Sequence, residues 1–236
     1  ETETVDLKSE SGKARLVALA REAAVLLETN RPGVMERLGV GPEVLRATNA
    51  RLVYVRLAGF RESQFHEAPG HDLCYLAAAG LLERFDPAWK TVQLADCAGA
   101  FWAALAALDG LREGGGFYEV YLGEVARAMA YPALPSVDGS KVCYALYPSL
   151  EGTLALATLE PHLWERFCRA VGRGGWLAAG YTPASAENPV YRELCALFAT
   201  RKAAEWEAWA QEKTIPLRAV RHYTPPSSLL PWKRSP

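Results

Sequence analysis

Two acid–base side chains stand at the starts of two apolar segments in the first half of the chain. His71 precedes Asp72 and a run of Leu, Tyr and Ala, and this order predicts a helix that begins beside the histidine. Asp96 ends a short apolar run and precedes a second predicted helix over residues 98–108, so its carboxylate lies in the positive field of a helix start. Two proton-transfer groups on facing helix starts address opposite faces of one bound carbon, and inversion at an acidic carbon requires this arrangement.

Alternating strands and helices are predicted to position these side chains. Short apolar segments predict strands at residues 24–27, 52–57 and 117–122, and residues 4–7 have a similar strand-like pattern. Segments with helical periodicity lie between them. This alternation is typical of an α/β domain with a parallel sheet, which we assign to residues 1–131.

The second half of the chain has a different pattern. Residues 132–140 are rich in Pro and Gly and predict a linker. Two strand-like segments, 142–147 and 153–158, flank a turn and predict a β-hairpin. Helical segments follow, so residues 141–214 are predicted to form a small α+β domain, and residues 215–236 a return segment with a Pro- and Ser-rich tail.

Composition excludes several classes of protein. The chain has 236 residues, half of them hydrophobic, and a net charge of -1 with basic and acidic residues balanced, so no nucleic-acid surface is predicted. No apolar run approaches the length of about 18 residues that a membrane span needs, and no His, Cys and Asp cluster has metal-ligand spacing. The cysteines are scattered and odd in number, which predicts reduced thiols in a cytoplasmic protein. They are Cys74, Cys97, Cys143, Cys168 and Cys195.

Several short motifs follow one another in an order typical of one enzyme family, and together they cover most of the chain. They are Asp6-Leu7-Lys8-Ser9, Asn30-Arg31-Pro32-Gly33-Val34-Met35-Glu36-Arg37-Leu38-Gly39, Arg51-Leu52-Val53-Tyr54, Gly70-His71-Asp72, Leu94-Ala95-Asp96 and Leu159-Glu160-Pro161. On these motifs the chain resembles the family III CoA-transferase superfamily, and within it the α-methylacyl-CoA racemases. The resemblance implies a Rossmann-like large domain, a small α+β domain and an interlocked homodimer.

The resemblance also implies an acyl-CoA thioester as the substrate and a role for each side chain. His71 and Asp96 would be the two bases, and Glu160 would hydrogen-bond the histidine and set its tautomer. Removal of the α-proton leaves charge on the thioester oxygen, and backbone N–H groups near Ala98 and Gly99, at the predicted helix start, suit that charge. Without the resemblance, His71 would be interpreted as a surface residue, Asp96 as a helix cap and Glu160 as half of a Glu-Pro helix start.

The match assigns CoA contacts to Arg31 with the turn of Pro32, Gly33 and Val34, and to Arg56 at the end of a predicted strand. Arginine is the expected partner of a phosphate. The structural alternatives are a solvated turn residue for Arg31 and a surface ion pair for Arg56. Because CoA is part of the substrate, no separate cofactor is predicted.

The chain departs from the family pattern in three places, which keeps other functions open. Residues 59–64 replace a glycine-rich turn, residues 84–90 replace a proline-rich link, and the first strand-helix-strand unit is expected to be missing from this chain. The first interpretation is a racemase of 2-methylacyl-CoA thioesters. The second is a CoA-transferase in which the matching aspartate attacks the thioester, although transferases of the family generally lack a histidine like His71. The third is a shortened, non-catalytic member that does not bind CoA.

Overall fold

A computed structural model describes residues 2–61, 70–82, 93–130 and 138–221 of the chain. The chain divides into two compact units, Glu1–Pro132 and Ala133–Pro236, with the division one residue from the predicted boundary. Several features predicted from the sequence lie outside the described residues. These are residues 62–64 of the segment 59–64, the link at 84–90, residues 132–137 of the predicted linker and the tail after residue 221.

The first unit alternates helices with the strands of one parallel sheet, which confirms the predicted α/β class. The sheet order is β1-β2-β3, and both pairings are parallel. The elements are α1 (Glu10–Glu22), β1 (Val25–Glu28), α2 (Val34–Arg37), α3 (Pro42–Thr48), β2 (Val53–Ala58), α4 (Asp72–Ala78), α5 (Leu94–Glu113), β3 (Gly116–Tyr121) and α6 (Leu122–Ala130).

Helices cover both faces of this sheet because its strands are apolar on both sides. Tyr54 and Leu52 belong to a buried cluster with residues of α1, α2 and α3, whereas Val53 and Val55 belong to another cluster with Ala103 of α5. The close approach of α5 depends on small residues. A Cβ atom at Gly110 would lie 2.5 Å from a methyl carbon of Val53, so the helix packs directly on the sheet at this glycine.

Two predicted boundaries in the first unit are wrong. Residues 4–7 form no strand, and the chain reaches α1 through a turn in which the Ser9 hydroxyl caps the helix by accepting the Gly12 N–H at 3.0 Å. The second helix of the site begins at Leu94 and not at Ala98. Asp96 therefore lies inside the first turn of α5, because the apolar residues before it continue the helical pattern that the sequence analysis assigned to a separate run.

The second unit is built on an antiparallel sheet of order β4-β5-β6. The predicted hairpin is confirmed, with Tyr144 opposite Ala157 and Pro148 opposite Thr153. The predicted return segment contributes β6, which pairs with β5 and so belongs to this sheet. The elements are β4 (Tyr144–Pro148), β5 (Thr153–Ala157), α7 (Pro161–Ala170), a 3-10 helix (Gly174–Ala179), α8 (Pro189–Phe198), α9 (Ala203–Glu212) and β6 (Leu217–Ala219).

The structure bears on two further expectations from the sequence, namely reduced cysteines and the absence of a membrane span. All five cysteines are free thiols, as predicted. In the described ranges, α5 is long and apolar enough to cross a membrane by length and composition, so the expectation that no segment approaches this limit is corrected. One such helix is weak evidence for a span, since the core helix of a soluble protein can meet the same criteria of length and hydropathy.

Candidate active site

The carboxyl ends of the three parallel strands border a cavity of about 690 Å³. Residues that follow β1 and β2 supply part of its wall, and the first residue of α6, which follows β3, supplies another part. The starts of α4 and α5 complete it. Ligands of open α/β sheets bind at this edge. The lining residues are Thr29, Asn30, Arg31, Pro32, Leu57, Ala58, Gly59, Gly70, His71, Tyr75, Asp96 and Leu122.

The segment after β1 presents Arg31 to this cavity through a tight turn. The Val34 N–H donates to the Arg31 carbonyl oxygen at 3.1 Å, and Gly33 adopts φ 81° and ψ -9°. These features are those of a type II turn, which favours Pro at the second position and requires a residue such as Gly at the third. Arg31 and Pro32 line the cavity, whereas Gly33 and Val34 shape the turn and are not among its lining residues.

His71 is the residue immediately before α4, and its imidazole is exposed. Its backbone is extended, with φ -127° and ψ 168°, and its side chain makes no capping hydrogen bond to the helix. The capping role that an isolated histidine before a helix suggests is therefore not the one it plays here. The imidazole lines the cavity instead.

Asp96 reaches the same cavity from the first turn of α5, where its side chain is partly buried. Its backbone N–H donates to Oδ1 of Asp72 at 3.0 Å. Asp72 is the first residue of α4 and is only 7% exposed. The Asp72 carboxylate thus ties the two helix starts together, and this contact places His71 and Asp96 at one cavity although 24 residues of sequence separate Asp72 from Asp96.

Burial raises the pKa of the Asp96 carboxyl group, and the negative charge of Asp72 raises it further, while the positive charge of His71 lowers it. The net shift is upward. An elevated pKa makes a carboxylate a stronger base and also makes the protonated form available as an acid, and both properties suit a proton-transfer residue.

Asp72→Asn is expected to shift the acidic limb of the kcat/KM profile to lower pH for any reaction in which Asp96 acts as the base. The asparagine Oδ1 can still accept the Asp96 N–H, but the negative charge that raises the pKa of Asp96 is gone. The ionised form then persists to lower pH. A pH series of kcat/KM with Glu113→Gln, an exposed residue at the other end of α5, provides the control, and an unshifted limb in Asp72→Asn would contradict the assignment.

Ala98 and Gly99 do not lie at the helix start, so the predicted source of the oxyanion contact is corrected. The helix begins at Leu94, and the Cys97 N–H already donates to the Gln93 carbonyl, so the N–H groups after it point into intrahelical bonds. Gly99 is buried, and a Cβ atom there would clash with the Leu122 side chain. Its small size serves the packing of α5 on this side chain.

Arg56 is buried in a carboxylate cluster and not on the cavity wall. Its Nε contacts Glu28 at 2.6 Å, its Nη2 contacts Glu36 at 2.7 Å and its Nη1 contacts Glu119 at 3.4 Å. The strand register explains the cluster, because Glu28, Arg56 and Glu119 are opposite one another on neighbouring strands. With all three guanidinium nitrogens on carboxylates, the CoA contact predicted for Arg56 is not supported by its surroundings.

Glu28, the innermost carboxylate of this cluster, also reaches the cavity indirectly. Its Oε2 accepts the side-chain N–H of Asn30 at 3.0 Å and the backbone N–H of the same residue at 3.3 Å. Asn30 precedes Arg31 and lines the cavity. Arg56 therefore acts on the cavity through Glu28, by fixing the segment that carries Arg31.

Glu160 lies in the second unit, at the residue before α7. Its carbonyl accepts the N–H groups of Leu163 and Trp164, and its side chain makes no capping bond and is exposed. Pro161 occupies the first helical position, so the Glu-Pro pair does start a helix, as the structural interpretation predicted. The support that Glu160 would give to His71 stays a prediction.

Two polar residues of this site, Asp72 and Tyr75, were not among the residues predicted to form it. Asp72 was predicted only to begin α4, but its carboxylate also accepts the Asp96 N–H of α5. Tyr75 lies four residues after His71 and therefore on the same side of α4. That spacing was visible in the sequence, but a tyrosine at a helical interval more often belongs to the core, and only the lining of the cavity identifies it.

Comparisons with known proteins agree with this architecture. The profile of CoA-transferase family III matches residues 2–225. The human alpha-methylacyl-CoA racemase is 30% identical over an alignment of 229 residues, which covers 86% of this chain and 60% of that protein. A Mycobacterium tuberculosis protein named "Probable fatty acyl-CoA transferase" is also 30% identical, over 86% of this chain and 61% of its own length.

A crystal structure of that Mycobacterium tuberculosis protein has a TM-score of 0.81 and 27% sequence identity, covering 94% of this chain and 68% of the other. The chain thus spans about 60% of the length of the curated relatives it matches. The match runs through both units and includes the strand ends and helix starts that build the cavity. The chain therefore belongs to CoA-transferase family III.

Proposed function

We propose that the cavity of the first unit is the proton-transfer site of a racemase for 2-methylacyl-CoA thioesters. The observation that carries the proposal is that His71 and Asp96, from two separate helix starts, line one cavity at the carboxyl end of the sheet. The similarity to the human alpha-methylacyl-CoA racemase supports the same reaction.

The reaction requires one base and one acid on opposite faces of the α-carbon. One of His71 and Asp96 removes the α-proton, the electrons of the C–H bond form a C=C bond, and the carbonyl electrons move to the thioester oxygen. The other residue then donates a proton to the opposite face, and the enolate returns to the thioester with inverted configuration. The raised pKa of Asp96, caused chiefly by burial, suits a group that must both accept and donate a proton.

The cavity wall also matches the two chemical parts of the substrate. Its volume, about 690 Å³, lies within the range of roughly 300–1,000 Å³ that small-molecule sites occupy. Leu57 and Leu122 provide an apolar wall that suits an acyl chain. Arg31 lines the cavity and is exposed, so its guanidinium can bind a CoA phosphate.

The direct test follows the α-proton of a 2-methylacyl-CoA by proton NMR in D2O. Loss of the α-proton signal at a rate proportional to protein concentration, together with conversion of one enantiomer into the other, is the expected result. Absence of exchange at substrate concentrations that saturate binding would sink the proposal for this chain.

Arg31→Met is expected to raise the KM for the acyl-CoA about tenfold and to leave kcat within about twofold. Loss of a hydrogen bond to a charged group costs roughly 1.5–3 kcal/mol, and the phosphate contact is equally present in the ground state and the transition state. Arg37→Met is the matched control, because Arg37 is exposed on the adjacent α2 and does not line the cavity. Equal KM values for the two variants would show that Arg31 does not bind the nucleotide part.

A CoA-transferase is the second candidate, because the Asp96 carboxylate lines the cavity and a transferase name occurs among the relatives. In that reaction the carboxylate attacks the thioester carbonyl, CoA leaves as a thiolate, and an acyl-aspartyl anhydride forms. Transfer of CoA from an acyl-CoA to a free carboxylic acid, measured beside the NMR assay, distinguishes the two reactions. A non-catalytic member would bind no CoA thioester at all by calorimetry.

We also propose that the protein forms a homodimer, and the outer face of α5 supports this. Phe101, Leu105 and Leu108 repeat at helical spacing and are 72%, 56% and 64% exposed. Contiguous exposed apolar side chains on one face mark protein contact surfaces. Sedimentation equilibrium over a range of concentrations measures the assembly state.

A contribution of Glu160 to the site would be tested by the pH profile of kcat/KM for Glu160→Gln.

The five free thiols support a cytoplasmic location.

A further inference from the structure

Tyr75 occupies a position in the cavity wall that neither proton-transfer residue fills. It is 5% exposed, and it lines the cavity together with His71 and Asp96. Its ring packs against Phe60, whose ring centroid lies 5.1 Å away at an edge-to-face angle of 66°. A buried tyrosine ordinarily hydrogen-bonds its hydroxyl group, so the partner of this hydroxyl is informative.

The hydroxyl end of Tyr75 lies against two glycines of the cavity wall. A Cβ atom built at Gly59 would lie 2.9 Å from the Tyr75 hydroxyl oxygen, and one built at Gly70 would lie 3.0 Å from it. Both positions leave space for the hydroxyl only because they carry no side chain. The phenol therefore ends at the cavity wall, between the segment after β2 and the start of α4.

Within the described ranges, the Tyr75 hydroxyl has no hydrogen-bond partner. Burial contributes most to raising the pKa of the Tyr75 phenol, and the charges of Asp96, Cys74 and Asp72 raise it further. The group thus remains a protonated donor at neutral pH. Tyr75 lines the cavity. Water can therefore satisfy the hydroxyl in the free protein, and a ligand oxygen can take the place of that water.

We infer that the Tyr75 hydroxyl donates a hydrogen bond to the thioester oxygen of the substrate and stabilises the enolate that forms when the α-proton is removed. This inference rests on the proposed proton-transfer function of the cavity. The phenol keeps its proton throughout: the base takes the α-proton, the carbonyl π electrons move to oxygen, and the hydrogen bond to that oxygen strengthens as its charge grows. It takes the role that was predicted for the Ala98 and Gly99 N–H groups, which α5 uses internally.

Tyr75→Phe is the test, because it keeps the ring and its contact with Phe60 and removes only the hydroxyl. Removal of one oxyanion donor typically lowers kcat by about 10²–10³-fold, so we expect α-proton exchange to fall by about 10²-fold with KM changed by less than about twofold. Tyr118→Phe is the control, since it removes a hydroxyl that hydrogen-bonds Asp109 on the surface. Equal kcat values for Tyr75→Phe and the wild type would overturn the inference.

A binding measurement separates this inference from the proposed function. A 2-methyl-3-oxoacyl-CoA ionises readily to an enolate whose ultraviolet absorbance reports its binding without turnover. We expect Tyr75→Phe to bind this enolate about tenfold more weakly than the wild type and to bind the saturated thioester equally well. If the wild type shows no exchange, the racemase proposal fails, and the enolate affinities still decide on Tyr75: equal affinities in both proteins refute its role as a donor.

Discussion

Replacement of Asp96 by Asn is expected to lower the rate of racemisation by about 10³-fold. The amide cannot accept or donate the proton in the way a carboxyl group does, and general acid–base groups contribute typically 10²–10⁴-fold. The substitution is nearly isosteric, and the Asp96 backbone N–H keeps its bond to Asp72. The measurement is polarimetric or chromatographic conversion of each enantiomer of a 2-methylacyl-CoA.

The reciprocal variant sharpens this prediction. If His71 and Asp96 address opposite faces of the α-carbon, each single variant retains one base. We therefore expect Asp96→Asn to exchange the α-proton of one enantiomer only and His71→Asn that of the other, without inversion in either case. His162→Asn, on the exposed surface of α7, is the control and should behave as the wild type. Loss of exchange with both enantiomers in both variants would contradict a two-base arrangement.

The second large effect is expected on stability, from Arg56→Met. The guanidinium contacts three carboxylates, and Glu28 is only 7% exposed. Methionine fills much of the space but leaves the Glu28 charge buried without its cation, and breaking a buried pair in this way costs about 3–5 kcal/mol. We therefore expect local unfolding of the first unit to be more frequent in Arg56→Met than in the wild type.

Hydrogen exchange measured by mass spectrometry resolves this effect by unit. Peptides that contain β2 should exchange about 10²- to 10⁴-fold faster in Arg56→Met, whereas peptides that contain β5 of the second unit should not change. Arg112→Met is the matched control, because Arg112 also contacts carboxylates but its side chain is 74% exposed, where such pairs contribute little. Unchanged protection of β2 would mean that the cluster does not hold the sheet together.

Most elements of the fold follow from local physical chemistry and could be predicted. Three apolar segments became the parallel strands, and the Ser9 cap, the Pro42 helix start and the turn after α5 are where their residue types indicate. Errors occurred where two signals overlap. The apolar residues before Asp96 fit either a strand or a helix, and a short apolar run cannot distinguish them.

His71, Asp96 and Arg31 follow a strand or lie at a helix start, where binding residues of a parallel sheet are found, but the family resemblance was needed to select them as candidates. Neither position nor resemblance predicted the place of Tyr75 on the cavity wall or that of Arg56 in a carboxylate cluster. Successive side chains of a strand point to opposite faces of a sheet, so Leu57 faces the cavity while Arg56 faces the carboxylates of β1, α2 and β3. Local sequence patterns therefore predicted most strands and helices, and the family resemblance supplied the two proton-transfer candidates. Which neighbouring side chains reach the cavity followed only from the tertiary structure, because that depends on pairing between strands and helices that lie far apart in the chain.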